Sequence, residues 1–262
     1  MLFPIRDHNP SRRVPVVTWA LIAVNILVFL SYLPLFAEPR ALELFFLTWG
    51  KVPAFVAQGE QLHTLLTSQF LHGSWLHLGF NMLFLWIFGD NVEDEWGHVP
   101  FLLFYLACGV AAALLQLAVA PQSTIPMVGA SGAIAGVLGG YLVMFPRARV
   151  DMFLFLVIYV RIIPLPAWVM LGVWFLMQIA GGLAAPADVG GVAYWAHAGG
   201  FVAGAVLMLP RWLRRGGTAY WGRNFGAPPH PEARYRNVRT AVPQVRRRRR
   251  VDRVPRVPRR RR

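Results

Sequence analysis

Six apolar stretches of roughly bilayer length leave this chain of 262 residues few ways to fold. They run over residues 14–36, 74–89, 100–120, 126–145, 162–184 and 189–209, and uncharged residues extend the second back toward Leu65. Crossing a hydrocarbon core takes about 20 residues of helix. Lipid offers no partner to a backbone N–H or C=O, so a spanning segment must close its hydrogen bonds within a helix or a barrel. Continuous apolar runs of this length fit helices. The expected fold class is all-α: a polytopic membrane protein with a six-transmembrane-helix bundle over residues 14–210, between an N-terminal segment (1–13) and a tail (211–262). Composition agrees, because 15% of the residues are charged where a soluble domain carries about 25%. Residues 14–36 lack a small-residue cleavage site and read as an uncleaved signal-anchor helix. Residues 152–160 are apolar but too short to span, and Asp151 and Arg161 bound them. They are expected to lie at the interface and lead into the fifth helix.

The formal net charge of +14 is confined to one end. From Arg211 onward there are 18 arginines against Glu232 and Asp252, a balance of +16, while residues 1–210 balance to −2. Cationic loops favour the cytoplasmic side. Arg6, Arg12 and Arg13 precede the first helix, and an even number of spans returns the tail to the same side, so both termini are expected to be cytoplasmic. A bacterial plasma membrane is the expected setting. Residues 90–95 form an acidic loop on that side, and residues 37–65 form a long outer loop, aromatic enough to sit half-sunk in the interface. The Pro- and Arg-rich tail from Gly216 cannot bury a core and is expected to be disordered. Its expected partner is anionic lipid headgroups; nucleic acid is disfavoured, since no aromatic platform accompanies the arginines. The single cysteine, Cys108, excludes an intrachain disulfide.

Against this apolar background four polar side chains stand out. Ser131 lies in Gly129-Ala130-Ser131-Gly132 near the start of the fourth stretch, and His197 lies near the start of the sixth. His77 and Asn81, spaced i, i+4 on one helical face, follow the start of the second. Polar groups in lipid-length helices are costly and read as functional. At 1.5 Å per residue, Ser131 is expected about 8 Å and His197 about 12 Å inside, both from the outer face. Gly132, Gly136 and Gly140 make a smooth stripe on the fourth helix, and Gly200 and Gly204 one on the sixth. Small-residue faces allow close helix approach, so one contact could bring Ser131 to His197. A hydroxyl beside an imidazole, with amide and imidazole N–H donors nearby, is the equipment for acyl transfer.

At these residues the chain resembles the rhomboid family of intramembrane serine proteases. The resemblance covers roughly residues 14–210: six helices, a long first loop, His77-x-x-x-Asn81, Gly129-x-Ser131-Gly132 and Ala196-His197-x-x-Gly200-x-x-x-Gly204. It implies a rhomboid-like bundle and a Ser–His dyad with no acidic third member. Ser131 would be the nucleophile and His197 the base, with His77 and Asn81 assisting the oxyanion. Glu93 matches a structural acidic position of many members. The Trp-Arg pair that many members carry in the first loop is His63-Thr64 here, which leaves open how that loop is anchored. Single-span membrane proteins are the implied substrates, cut after a small residue, and the depth of Ser131 and His197 puts the cut near the outer end of the span. No cofactor or metal is implied, and no His-Glu-x-x-His zinc motif occurs. Two other readings are a catalytically inactive relative that binds membrane clients and a small transporter. The first expects loss of Ser131 or His197, which are both present. The second expects inverted repeats or ionisable residues deep in several spans.

Overall fold

The computed structural model describes residues 2–156, 159–184 and 192–229. Six long helices carry the fold: α1 (Val16–Tyr32), α5 (Trp75–Trp96), α6 (His98–Val119), α7 (Ser131–Met144), α8 (Ala167–Ala184) and α9 (Tyr194–Arg214). Three short helices, α2 (Pro39–Trp49), α3 (Pro53–Ala57) and α4 (Thr64–Thr67), form the first loop, and α10 (Thr218–Asn224) follows α9. Among the described residues, three segments are long and apolar enough to cross a membrane: Val16–Ala37, His98–Val119 and Ala167–Ala184. Helices α5 and α9 are equally long but end in charged turns, and α7 has 14 residues, about 21 Å at the helical rise. Large apolar side chains stay exposed on the outer helices, among them Leu27, Leu30, Leu176 and Leu183. Such a belt would drive aggregation in water; in a bilayer it faces lipid.

Helix α7 stands in the middle, apolar all round and buried from Gly132 to Tyr141, as a central helix must be. Its glycines make that position possible. A Cβ on Gly132 would lie 2.6 Å from the Ala112 Cβ of α6, and one on Gly136 would meet Cys108. Across the α7–α9 seam a Cβ on Gly200 would run into the Gly132 carbonyl, and one on Gly204 into the Gly136 carbonyl. The two backbones are therefore in direct contact. Gly139, not part of the stripe read from the sequence, packs in the same way against the Phe201 carbonyl.

The bundle is helical as expected, with one addition. A three-stranded antiparallel sheet, in the order β1 (Leu2–Asp7), β2 (Arg149–Leu156) and β3 (Tyr159–Pro166), accompanies the predominantly helical bundle. Residues 152–160 are thus not a simple interfacial run, and the fifth helix starts at Ala167 rather than at 162. Proline explains both. Pro164 and Pro166 would break a helix by removing N–H donors. They sit on an edge strand, as does Pro4, while the central β2 has no proline. Arg6 and His8 bond the Asp151 carboxylate at 2.7 and 2.9 Å.

Two other expectations are revised, and one open point is answered. Residues 90–95 are no loop but the last turns of α5, closed by Gly97 at φ 79°. There Glu93 accepts the Val17 and Thr18 N–H groups, at 2.9 and 2.7 Å, and the Thr18 hydroxyl. A carboxylate thus satisfies the unpaired donors at the start of α1. Helix α9 runs past residue 210, and the chain after Gly216 folds into α10. Tyr220 is buried, and the Trp221 indole donates to the Val143 carbonyl at 3.0 Å. Residues 230–262, with most of the arginines assigned to lipid, lie outside the described residues. Finally, the first loop is anchored without a Trp-Arg pair. Lys51 exchanges backbone hydrogen bonds with Met127, and its ammonium donates to the Ala113 carbonyl at 3.0 Å. The His63 ring meets Trp49 edge-on and donates to the Thr48 carbonyl.

Candidate active site

Ser131 is the first residue of α7, not five residues inside a helix as the apolar pattern suggested. The chain approaches it in extended form, paired to Lys51 at Met127 and to Ser68 through the Gly129 N–H. These bonds to the first loop replace the helical ones that a span starting at 126 would have made. Gly129 has φ 136°, a backbone state that side chains disfavour, and a Cβ there would lie 2.8 Å from His77 Nε2. Only glycine lets the strand turn into α7 this close to His77. As a first-turn residue, Ser131 sits at the positive end of the helix dipole, among N–H groups with no intrahelical acceptor.

His197 is the fourth residue of α9, and the glycine seam with α7 brings its ring to the serine. His197 Nε2 and Ser131 Oγ are 2.8 Å apart. On the other side of the ring, His197 Nδ1 is 2.8 Å from the Oε1 of Gln178 on α8. Trp174, one turn earlier on α8, lies along the His197 ring with centroids 5.9 Å apart.

Helix α5 supplies the opposite wall. Ser74 caps it by accepting the His77 N–H at 3.1 Å. The Gly73 N–H points at His77 Nδ1, 3.4 Å away. That nitrogen is therefore the acceptor, and the proton of the neutral ring resides on Nε2, which faces Gly129. Asn81 uses one amide N–H on the His77 carbonyl at 3.0 Å. Ser131, His197, His77 and Asn81 all line one cavity of about 730 Å³, whose apolar walls include Phe84 and Trp174. Buried His72 lies against His77, with ring centroids 5.1 Å apart, and its backbone exchanges hydrogen bonds with the Tyr32 hydroxyl.

The four polar residues picked from the sequence thus share one cavity, and the glycines Gly132, Gly136, Gly200 and Gly204 share one seam. The sequence reading missed Gln178. Its signal is present all the same, since a carboxamide in an apolar helix is as anomalous as an imidazole. Among the described residues no group of three or more His, Cys, Asp or Glu side chains could hold a metal ion.

Residues 59–214, more than half the chain, match the family model of the Rhomboid domain. The chain belongs to the rhomboid family. It is an integral membrane protein, and the matched rhomboid domain contains every residue of the cavity described above. Helix α1 lies before the matched range. Among similar proteins are Rhomboid protein 1, mitochondrial, of Saccharomyces cerevisiae (34% identical over 150 residues, 55% of this chain and 40% of the relative) and Rhomboid-like protein 11, chloroplastic, of Arabidopsis thaliana (33% over 130 residues, 50% and 42%). Rhomboid protease GluP of Bacillus subtilis is 38% identical over 128 residues, 49% of this chain and 24% of the relative. The matches thus cover less than half of each relative's length. Two of these names are organellar, so they lend no support to the bacterial plasma membrane expected from the sequence.

Proposed function

We propose that this rhomboid is an intramembrane serine endopeptidase, with Ser131 as nucleophile and His197 as base. The observation that carries the reading is the 2.8 Å contact between Ser131 Oγ and His197 Nε2 at the mouth of α7. A serine hydroxyl is a weak nucleophile until a base takes its proton. Ser131 Oγ attacks the scissile carbonyl carbon while its proton passes to His197 Nε2, leaving a tetrahedral oxyanion. That charge develops beside the His77 Nε2–H and the N–H groups of the first turn of α7. Collapse expels the amine, which takes the proton from Nε2, and leaves an acyl group on Ser131. Water then attacks the ester with the same base, releasing the acid and restoring the serine.

The substrate proposed is the transmembrane segment of a single-span membrane protein, since the cavity opens among helices with lipid-facing apolar surfaces. An intact helix hides its carbonyls in hydrogen bonds, so the cut falls where Gly or Pro loosens the segment, near the membrane face where α5, α7 and α9 begin. Both termini are placed on the opposite, cytoplasmic side, with the tail on anionic headgroups. The protease names of relatives such as the Bacillus subtilis protein support the activity. The presence of both Ser131 and His197 favours it over an inactive client-binding relative.

A fluorophosphonate probe tests the dyad without knowledge of the substrate. Mass spectrometry of the labelled protein should find one adduct on Ser131, absent in Ser131→Ala and strongly slowed in His197→Ala. An adduct on another residue, or equal labelling of His197→Ala, would remove the assignment.

A further inference from the structure

We propose that Gln178 is the third member of the site, a positioning residue that fixes the tautomer and orientation of His197. The inference rests on the peptidase reading above and deepens it. The buried Gln178 amide has two ends, and its neighbours decide which faces the histidine. Its Nε2 lies 3.2 Å from the Trp174 carbonyl, which can only accept. Nε2 is therefore the end turned to Trp174, and Oε1 is the end 2.8 Å from His197 Nδ1. An amide oxygen can only accept, so the Nδ1 of neutral His197 carries the proton and Nε2 presents its lone pair to the Ser131 hydroxyl. The other tautomer would aim a lone pair at the Gln178 oxygen and an N–H at Ser131, and could not act as base. One chain of bonds, Trp174 carbonyl to Gln178 to His197 to Ser131, thus selects the reactive form.

The arrangement is built into α8 and not confined to one contact. Trp174 and Gln178 lie one turn apart on the face turned to α9, and Trp174 flanks the His197 ring. Further along that helix, Gly181 and Gly182 leave room for Tyr194 and Trp195, where a Cβ would come within 2.5 and 2.8 Å of the rings. The Trp195 indole donates to the Gly182 carbonyl at 3.1 Å. The start of α9, and His197 with it, is clamped to the helix that supplies the acceptor. A neutral amide does here what a carboxylate does in a triad, orienting the imidazole without placing a charge in the membrane.

Four variants and one spectroscopic readout test this. Gln178→Leu keeps the volume and removes the acceptor; kcat on a single-span substrate should fall about ten- to a hundred-fold, the cost of a buried N–H without its partner, with KM within about two-fold because the cavity walls are untouched. Gln178→Glu retains an acceptor and should recover most of the lost rate. Nitrogen-15 NMR of histidine-labelled protein, with His197 assigned by its loss in His197→Ala, reads the tautomer without turnover. It should show a protonated Nδ1 in the parent and in Ser131→Ala, and a mixture of tautomers in Gln178→Leu. If Gln178→Leu does not fold, the Nδ1 proton must still move downfield in Gln178→Glu. Parent kcat with an unchanged Nδ1 signal in Gln178→Leu, or an unmoved Nδ1 proton in Gln178→Glu, would overturn the proposal. Cleavage that persists in Ser131→Ala would instead sink the peptidase reading and leave the tautomer result standing.

Discussion

Two imidazoles flank Ser131, and their neighbours give them opposite duties. His197 meets an amide oxygen at Nδ1 and so offers a lone pair at Nε2. His77 meets a backbone N–H at Nδ1 and so offers a proton at Nε2. Under the proposed mechanism the first is a base and the second an oxyanion donor. His77→Ala should therefore lower kcat by about 10²–10³, the usual cost of one such donor, while fluorophosphonate labelling of Ser131 continues at a reduced rate. A His77→Ala protein with parent kcat would remove that role. Ser131, His197, His77 and Asn81 were legible in the sequence because each interrupts an apolar run. Their duties were not. Which nitrogen carries a proton depends on Gly73 and Gln178, and nothing in the spacing of His77 and His197 reveals those partners.

At the scale of elements, the helices of the bundle were legible from apolar length, but their ends were not. Ser131 begins α7 because residues 125–130 bond to the first loop, a contact between segments more than fifty residues apart. The sheet escaped for a related reason: β1 pairs with β2 some 140 residues later, and six residues before an apolar helix read as a mere flank. That strand reaches the far end of the nucleophile helix, where the Tyr141 hydroxyl donates to Asp7 at 2.6 Å. Burial pushes the Asp7 carboxyl up from 3.8 to about 8, with the Tyr141 bond opposing and the Asp90 charge adding. Folded Asp7 thus holds its proton at neutral pH while the unfolded chain releases it. Folding takes up a proton, and stability falls as pH rises from about 4 to about 8. The melting temperature in detergent should drop across that interval and level off above it, and Asp7→Asn should flatten the slope. An equally steep slope in Asp7→Asn would show that another group sets it.

Taken whole, the molecule is a membrane-embedded rhomboid domain with a folded extension after α9. The strong basicity lies almost entirely beyond it, in residues 230–262, whose composition predicts contact with anionic lipid. Helix α10 was masked in the sequence by its setting, since Thr218–Asn224 stands among Pro, Gly and Arg residues that read as disorder. Its Tyr220 and Trp221 find partners only on the assembled bundle. The family was legible because motifs on three helices occur in a fixed order, although each motif alone is weak. Cleavage of a peptide bond within a membrane is the activity proposed for this assembly. It is tested most directly by placing the full chain in liposomes with a model single-span protein and mapping the products by mass spectrometry. One cut is expected, near the end of the substrate span that shares a face with the starts of α5, α7 and α9, and no product with Ser131→Ala. A cut at the opposite end of the span, or the same products from Ser131→Ala, would contradict it.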